Sequence, residues 1–507
     1  MAELTRREFV KQTVAGGVGL GLMGVLGCRP DGSGQQSATA RGPGGRRPNV
    51  ILLMSDQHRA MSMGAYGSTE VRTPHLDALA AESVIFTRAY CQYPQCVASR
   101  QSILTGQYPN HHGAYGIQMK SIDPGQWTLP QAFGRAGYRT VLIGHPHSNE
   151  NGYQDNRNSA RHAEEQPQAV KDIVKGPFFG FQYKDNVRTA APLAFPEEYL
   201  PDTYIWQETL RFLKEPPKEP FFLYVSFPKP HPPFNPPQRF WDLYQSDQIV
   251  LPPIDPNQPR SAYWGDEVMS DGMKRNYLHG YYACISFIDW CLGNILGALR
   301  QAGYFENSIM AYTSDHGENG GYHTRYEKHC FYEPAVRVPL VVRTPATGPR
   351  RVEEIVEIMD LAPTFTSLCQ VPTGDHQYDA ASLEGLLKGD ARGWKDWAIS
   401  EYYQKIKKAD GSENTETDLG FGRMLVQGDF KCCIHGNMVF PNSLFNLRDD
   451  PDEIRNLWDD PAHRELRDRM TAMLRRDWRR EWYPYKTTAA GPKSSPAPGY
   501  GVKVEGE

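Results

Sequence analysis

The sequence has no Cys-x-x-Cys pair and no cysteine–histidine spacing of the kind that holds zinc, although it carries nine cysteines in 507 residues. That excludes the zinc-finger classes. No internal repeat is visible, which excludes solenoids and propellers. Charge of either sign is not in excess: 55 basic residues against 59 acidic ones leave a net −4, so no field exists to gather nucleic acid. Long apolar runs are also missing. The stretch Val14–Gly27 is too short and too glycine-rich to cross a bilayer as a stable helix. Cys91, Cys284, Cys291, Cys330, Cys369, Cys432 and Cys433 are scattered and read mostly as buried small hydrophobes. A disulfide among them stays open. What is present suits a packed protein: 39% hydrophobic and 22% charged residues can enclose a core. The 40 prolines and 46 glycines imply many loops between short elements. The length supports two or three domains, or one large α/β domain with an appendage.

The first residues read as an address. "TRREFVK", with Arg6, Arg7, Phe9 and Lys11, is similar to a twin-arginine export signal, and "VLGC", Val25–Cys28, is similar to a lipoprotein processing box. The expectation is an exported protein of the periplasm or cell envelope, with the twin-arginine translocon as partner. Its membrane contact is only through a lipid on Cys28. Plain cleavage to a soluble product is the alternative. That route carries folded chains, so a modification acquired in the cytoplasm would travel with them.

Residues 1–28 are thus assigned to the signal and 29–47 to a polar, Gly-rich linker. At 48 the pattern changes. "NVILLMSD" is a continuous apolar run ending in an acid, as a buried parallel strand reads. Similar runs are Thr140–Gly144, Phe221–Phe227, Ser308–Thr313 and Val338–Val342. Between them lie helical patterns. Ile285, Ile288, Leu292, Ile295, Leu296 and Leu299 form one stripe in Tyr282–Ala302. Strands alternating with helices predict an α/β fold with an open sheet and helices on both faces, over 48–394. A small C-terminal α+β subdomain is predicted over 395–486. It holds a hairpin in "RMLVQGDFKCCIH" and a charged helix from Pro461 to about Trp482. The tail, 487–507, reads as disordered.

The chemistry gathers at strand ends. Asp56, followed by Gln57, closes the first strand, and Asp315 with His316 closes another. Ligands collect beyond the carboxyl ends of strands in open α/β sheets. Two such oxygen-bearing sites suit one hard cation, Ca²⁺ or Mg²⁺. Each aspartate alone reads as a helix cap or turn residue. The third element is "CVASRQSILTG", Cys96–Gly106, which reads as a turn and a short helix stopped at Gly106. A helix N-terminus with Arg100 close by matches a tetrahedral anion.

These residues resemble the type I, formylglycine-dependent sulfatases of the alkaline-phosphatase superfamily. Cys96, Ala98, Arg100, Leu104, Thr105 and Gly106 fit the sulfatase signature. "PNVILLMSD", "TPHLDALAAESVIFTRAY", "FFLYVSFPKPHPPF", "TSDHGENGG", "YEPAVRVPLVVRTP" and "LFNLRDDPDEIRNL" match family landmarks in order, from Pro48 to about Leu457. The resemblance implies an alkaline-phosphatase-like, mixed but mainly parallel sheet and sulfate ester hydrolysis, on an aryl or carbohydrate sulfate. Cys96 would be oxidised to 3-oxoalanine (formylglycine) by a maturation enzyme. Asp56, Asp315, His316 and modified Cys96 would hold the cation, with Gln57 as a further ligand. Arg100 would hold formylglycine and sulfate, and His147 would help collapse the sulfated intermediate. His231 and Lys328 would bind sulfate oxygens, one of them protonating the leaving alcohol.

The chain departs from the pattern in four places. Asp56-Gln57 and Asp315-His316 stand where many members have Asp-Asp and Asp-Asn, as in relatives that hydrolyse phosphonate monoesters and phosphodiesters. "GHPH" puts His145 where a sulfate-binding lysine is common. Ala98 replaces a commoner proline, which bears on the maturation enzyme. The alternatives are therefore a phosphonate monoester or phosphodiester hydrolase using the same site, or a catalytically silent sulfoglycan-binding lipoprotein.

Overall fold

A computed structural model describes residues 46–115, 125–160, 190–254, 269–405, 419–436 and 441–476, with isolated positions between 123 and 170. The export signal, Cys28, most of the linker and the 487–507 tail lie outside the described residues.

Twelve strands are described, β1 Asn49–Asp56, β2 Val84–Tyr90, β3 Arg139–Gly144, β4 Asp155–Asn158, β5 Phe221–Pro230, β6 Ser308–Ser314, β7 Leu340–Arg343, β8 Arg350–Glu357, β9 Trp397–Lys405, β10 Leu419–Gln427, β11 Phe430–Gly436 and β12 Ser443–Asn446. The first eight form one sheet in the order β4-β3-β5-β1-β6-β7-β2-β8. Every pairing is parallel except those of β7, which runs against β6 and β2. The fold is therefore the mixed, mainly parallel α/β sheet expected.

Strand β1 lies at the centre and is buried along its whole length. Its alternate residues feed two cores, because successive side chains leave opposite faces of a strand. Val50, Leu52 and Met54 pack with Phe133 and Phe365, from the helices Leu129–Arg135 and Leu361–Leu368. Ile51 and Leu53 pack with Leu76, Ile205, Ile288 and Leu292, from helices Pro74–Ala81, Pro201–Lys214 and Asp271–Gln301. Helices thus cover both faces.

One capping interaction carries a pH signature. Asp289, on the long Asp271–Gln301 helix, accepts hydrogen bonds from Leu76 N (2.7 Å) and His75 N (3.2 Å) at the start of the Pro74–Ala81 helix. Burial pushes its carboxyl up from 3.8 to about 7. A folded pKa above the unfolded one means the native state holds the proton more tightly. That contribution is full below the unfolded value and is lost as pH rises through about 7. In Asp289→Asn the amide does not titrate, so its melting temperature should gain on wild type as pH rises from 4 to about 8. Thermal unfolding across that range checks it; a falling difference would contradict it.

Strands β9–β12 form a second, antiparallel sheet in the order β12-β11-β10-β9. Ile399, Leu425, Cys432 and Leu444 of this sheet pack on Met470 and Leu474 of the Arg464–Arg476 helix. The predicted hairpin is β10–β11. The predicted helix from Pro461 begins with a 3₁₀ turn, and its end near Trp482 lies outside the described residues.

Some sequence expectations need correction. The run Val338–Val342 becomes the short strand Leu340–Arg343, displaced past Pro339. Strands β2, β4 and β8 were not anticipated. β4 is the polar string Asp-Asn-Arg-Asn on an edge, and β8 begins with two exposed arginines. Neither shows an apolar period. No disulfide exists among the described cysteines, which are free and buried.

Candidate active site

Sheet register brings the site together. Ser55 pairs with Ser314, Asp56 with Pro230 and Gly144 with Ser226. The chain therefore delivers Asp56, Asp315, His231 and His145 from neighbouring strand ends. Gly144 makes the turn into His145 with φ 113°, and a Cβ there would meet Ser226 O at 2.1 Å. The Cys96–Thr105 helix faces these ends with its N-terminus. It stops at Gly106, whose φ of 65° and close approach to Tyr378 exclude a side chain.

Cys96, 2% exposed, sits among charges. Its Sγ lies 3.1 Å from His316 Nε2, 3.5 Å from Asp56 Oδ1 and 3.5 Å from Lys328 Nζ. Burial and the Asp56 carboxylate push the thiol well above its ordinary value. As a neutral thiol it is a weak ligand and a weak nucleophile. Asp56, Cys96, Asp315 and His316 present one ligand atom each, all within 4.8 Å of one another and all buried. His316 Nδ1 is 3.0 Å from Gly317 O. That contact fixes the tautomer with the proton on Nδ1, leaving the Nε2 lone pair toward the cluster. A buried set of two carboxylates and one neutral imidazole fits a divalent cation.

Arg100 is fully buried between the two carboxylates. Nε donates to Asp315 Oδ2 (2.6 Å) and Nη2 to Asp56 Oδ2 (3.0 Å). Nη1 donates to Ser226 Oγ (2.6 Å) and His145 O (2.7 Å). Against the cost of burial, His231, Arg100 and Lys328 hold Asp56 well below the usual carboxylate range. Arg100 thus positions the acids as well as adding charge.

His145 and His147 pack with ring centroids 3.7 Å apart and planes tilted by 57°, beside Asp56. Burial, His147 and Arg100 push His145 down to about 3, so its imidazole is neutral near pH 7. His147 adopts φ 41°, and its buried Nδ1 has no hydrogen-bond partner among the described residues, as expected of a group that faces a bound polar ligand. His231 donates from Nδ1 to Pro232 O at 2.7 Å, and burial and Lys328 hold it well below its ordinary pKa. Lys328 Nζ donates to Gln57 Oε1 at 2.7 Å.

Other polar side chains near these elements fall outside the centre. Lys229 neither lines the pocket nor meets solvent: its Nζ donates to Asn235 Oδ1 (2.5 Å) and Pro233 O, tying down the loop after His231. His112 bonds Ser102 Oγ, and His111 pairs with Asp379. His323 stacks on Tyr332, and His329 accepts or donates at Tyr402 OH. Glu318, in the string "TSDHGENGG", passed unremarked in the sequence; it is fully buried against Gln57. Only its position three residues after Asp315 could have signalled it.

Residues 48–371 match the family profile "Sulfatase", and 321–480 match "N-sulphoglucosamine sulphohydrolase, C-terminal". The chain is 28% identical to an arylsulfatase of Clostridium perfringens, over 70% of this chain and 82% of that one. It is 31% identical to iduronate 2-sulfatase of Mus musculus, over 64% and 69% of the two chains. In fold it is similar to the phosphonate monoester hydrolase of Agrobacterium radiobacter, with TM-score 0.70, 24% identity and coverage of 84% and 95%.

Proposed function

Because the chain belongs to the sulfatase family and is a sulfuric ester hydrolase, we propose that it releases sulfate from a carbohydrate, with Cys96 converted to formylglycine and Ca²⁺ held by Asp56, Gln57, modified Cys96, Asp315 and His316. The observation that carries this reading is Cys96 at a helix N-terminus, inside a buried cluster of two acids, a neutral imidazole, Arg100 and Lys328. When bound, the aldehyde hydrate supplies the nucleophilic hydroxyl and the cation supplies the charge that acidifies it.

The chain's own residues do the rest. Arg100 keeps Asp56 and Asp315 apart and oriented. Lys328, whose ammonium is favoured by the Cys96 and Asp56 side despite burial, stabilises negative charge on the sulfuryl oxygens. Lys328, which stays protonated, hands a proton to the leaving alcohol, while His231, anchored through Nδ1 and neutral, keeps its Nε2 lone pair toward the site. His147 presents its buried Nδ1 to the same pocket and, kept neutral by burial and Arg100, takes up a proton in the second half of the cycle. Similarity to iduronate 2-sulfatase supports a carbohydrate sulfate over an aryl one. The leader supports export by the twin-arginine route to the periplasm, with Cys28 as lipid anchor.

Sulfate release from aryl and carbohydrate sulfates, against turnover of phenylphosphonate monoesters, tests the reading in protein carrying the aldehyde. Faster phosphonate turnover would favour the alternative that the Asp56-Gln57 and Asp315-His316 pairs suggest. Neutral His145 bears on affinity. His145→Lys adds a charge beside the anion and should lower KM about three- to tenfold with kcat nearly unchanged, since the charge acts on ground and transition states alike. An unchanged KM in steady-state kinetics would contradict it.

A further inference from the structure

Glu318 accepts three N–H donors. Its Oε1 takes Gly320 N at 2.8 Å and Glu327 N at 2.6 Å, and its Oε2 takes Gln57 Nε2 at 2.5 Å. The other end of the Gln57 amide, Oε1, takes Lys328 Nζ at 2.7 Å, and that same Nζ lies 3.5 Å from Cys96 Sγ. All four side chains are buried. The polarity of the chain runs one way. If the Gln57 amide were turned over, its oxygen would face a Glu318 oxygen and its NH₂ would face the Lys328 ammonium. Two acceptors would meet at one end and two donors at the other. In a site closed to water neither clash has another outlet.

The backbone supports the same arrangement. Gln57 has φ 72°, Glu327 φ 64° and His329 φ 74°, so three non-glycine residues around this chain sit in the left-handed region. Surroundings must over-determine such a conformation for it to persist. Glu318 bonds to two of these three residues, at Gln57 Nε2 and Glu327 N.

We propose that Glu318 is a positioning residue of the reaction: it fixes the Gln57 amide with its carbonyl inward, and through that carbonyl holds Lys328 beside position 96. This rests on the sulfatase reading of the site, with Gln57 facing the cation.

Glu318→Gln tests it first. One end of the new amide must present NH₂. Turned toward Gln57, that NH₂ forces the Gln57 amide over, away from Lys328. Sulfate-ester kcat/KM should fall about ten- to a hundredfold, and Ca²⁺ should bind about ten- to a hundredfold more weakly by calorimetry, the usual range for groups that orient a ligand. The swapped pair Glu318→Gln with Gln57→Glu restores an acceptor facing a donor at both junctions. It should recover both quantities to within about fivefold of wild type, where unrelated lesions would add. Glu318→Asp keeps the charge but shortens the reach, and should lose both quantities as Glu318→Gln does. Wild-type values in Glu318→Asp would reduce Glu318 to a mere charge and overturn the proposal. So would a swapped pair no better than Glu318→Gln alone. Calorimetry with Ca²⁺ needs no turnover: recovery of Ca²⁺ binding in the swap, in a protein that releases no sulfate, would sustain Glu318 while rejecting the sulfatase reading.

Discussion

Arg100→Ala should abolish measurable sulfate release and destabilise the cation-free enzyme by about 3–5 kcal/mol, the range for stripping a buried charge of its partner. The magnitude follows from where the guanidinium sits. Arg100 is 0% exposed and bonded to both Asp56 and Asp315, each itself buried. Without it two carboxylates share a dry pocket and lose the one guanidinium that bonds them both. One must take up a proton, and a protonated aspartate no longer offers the charge that the cation and the nucleophile need. Arg100→Lys should not rescue, because one ammonium cannot bond both acids and also reach Ser226 and the carbonyl of His145. Saturating Ca²⁺ should return part of the lost stability, since a ligand that binds only the native state stabilises in proportion to ln(1 + [L]/Kd). Thermal unfolding with and without Ca²⁺ reads both halves. An Arg100→Ala protein as stable as wild type without Ca²⁺ would contradict the role assigned to the arginine.

The second large effect lies far from the cation cluster. Lys431, on β11, is fully buried, and its Nζ donates to Phe331 O at 2.8 Å and to Glu333 Oε1 at 3.1 Å, and pairs with Glu453. Glu453 in turn accepts Glu333 N at 2.6 Å. Against the cost of burial, Lys431 and Arg337 hold Glu333 below its ordinary range, while burial pushes Glu453 up. The three side chains join the second sheet to the segment 331–333, just beyond Lys328. Tyr402 of β9 makes a further bond to His329, at 2.9 Å. Lys431→Met leaves Glu453 without its ammonium and Glu333 with the longer pair to Arg337, at 3.6 Å. It should cost about 3–5 kcal/mol and lower the melting temperature by roughly 5–10 °C. It should also lower kcat/KM well below the folded fraction, because the segment carrying Lys328 loses its anchor. Circular dichroism melts beside kinetics at low temperature separate the two. Unchanged kinetics in the folded variant would show that the second sheet is only an appendage.

How far the sequence could be read depended on which signals are local. The buried central strands β1, β5 and β6 were legible because both faces are covered, which makes them continuous apolar runs. β4 and β8 were not, because edge strands carry polar and charged residues that carry no period. At the site, Asp56, Asp315, His316, Cys96 and Arg100 stood out through strand-end position and motif spacing, and the structure gathers them. Lys229 is not legible in the sequence, since lysine position alone does not reveal what its tip bonds. Glu318 and the Lys431–Glu333–Glu453 triad were illegible for a deeper reason. Their roles exist only as contacts between segments roughly 100–260 residues apart, as between Gln57 and Glu318 or Lys431 and Glu333. No window of sequence contains them.

The central claim is that the nucleophile derives from Cys96. The most direct test is the mass of the tryptic peptide Ala89–Arg100 from enzyme purified from its native host and active in sulfate release. The predicted result is loss of the Cys96 thiol and gain of an aldehyde, with Cys91, fully buried and free of disulfide, still a thiol. An intact Cys96 thiol throughout a preparation that releases sulfate would contradict it.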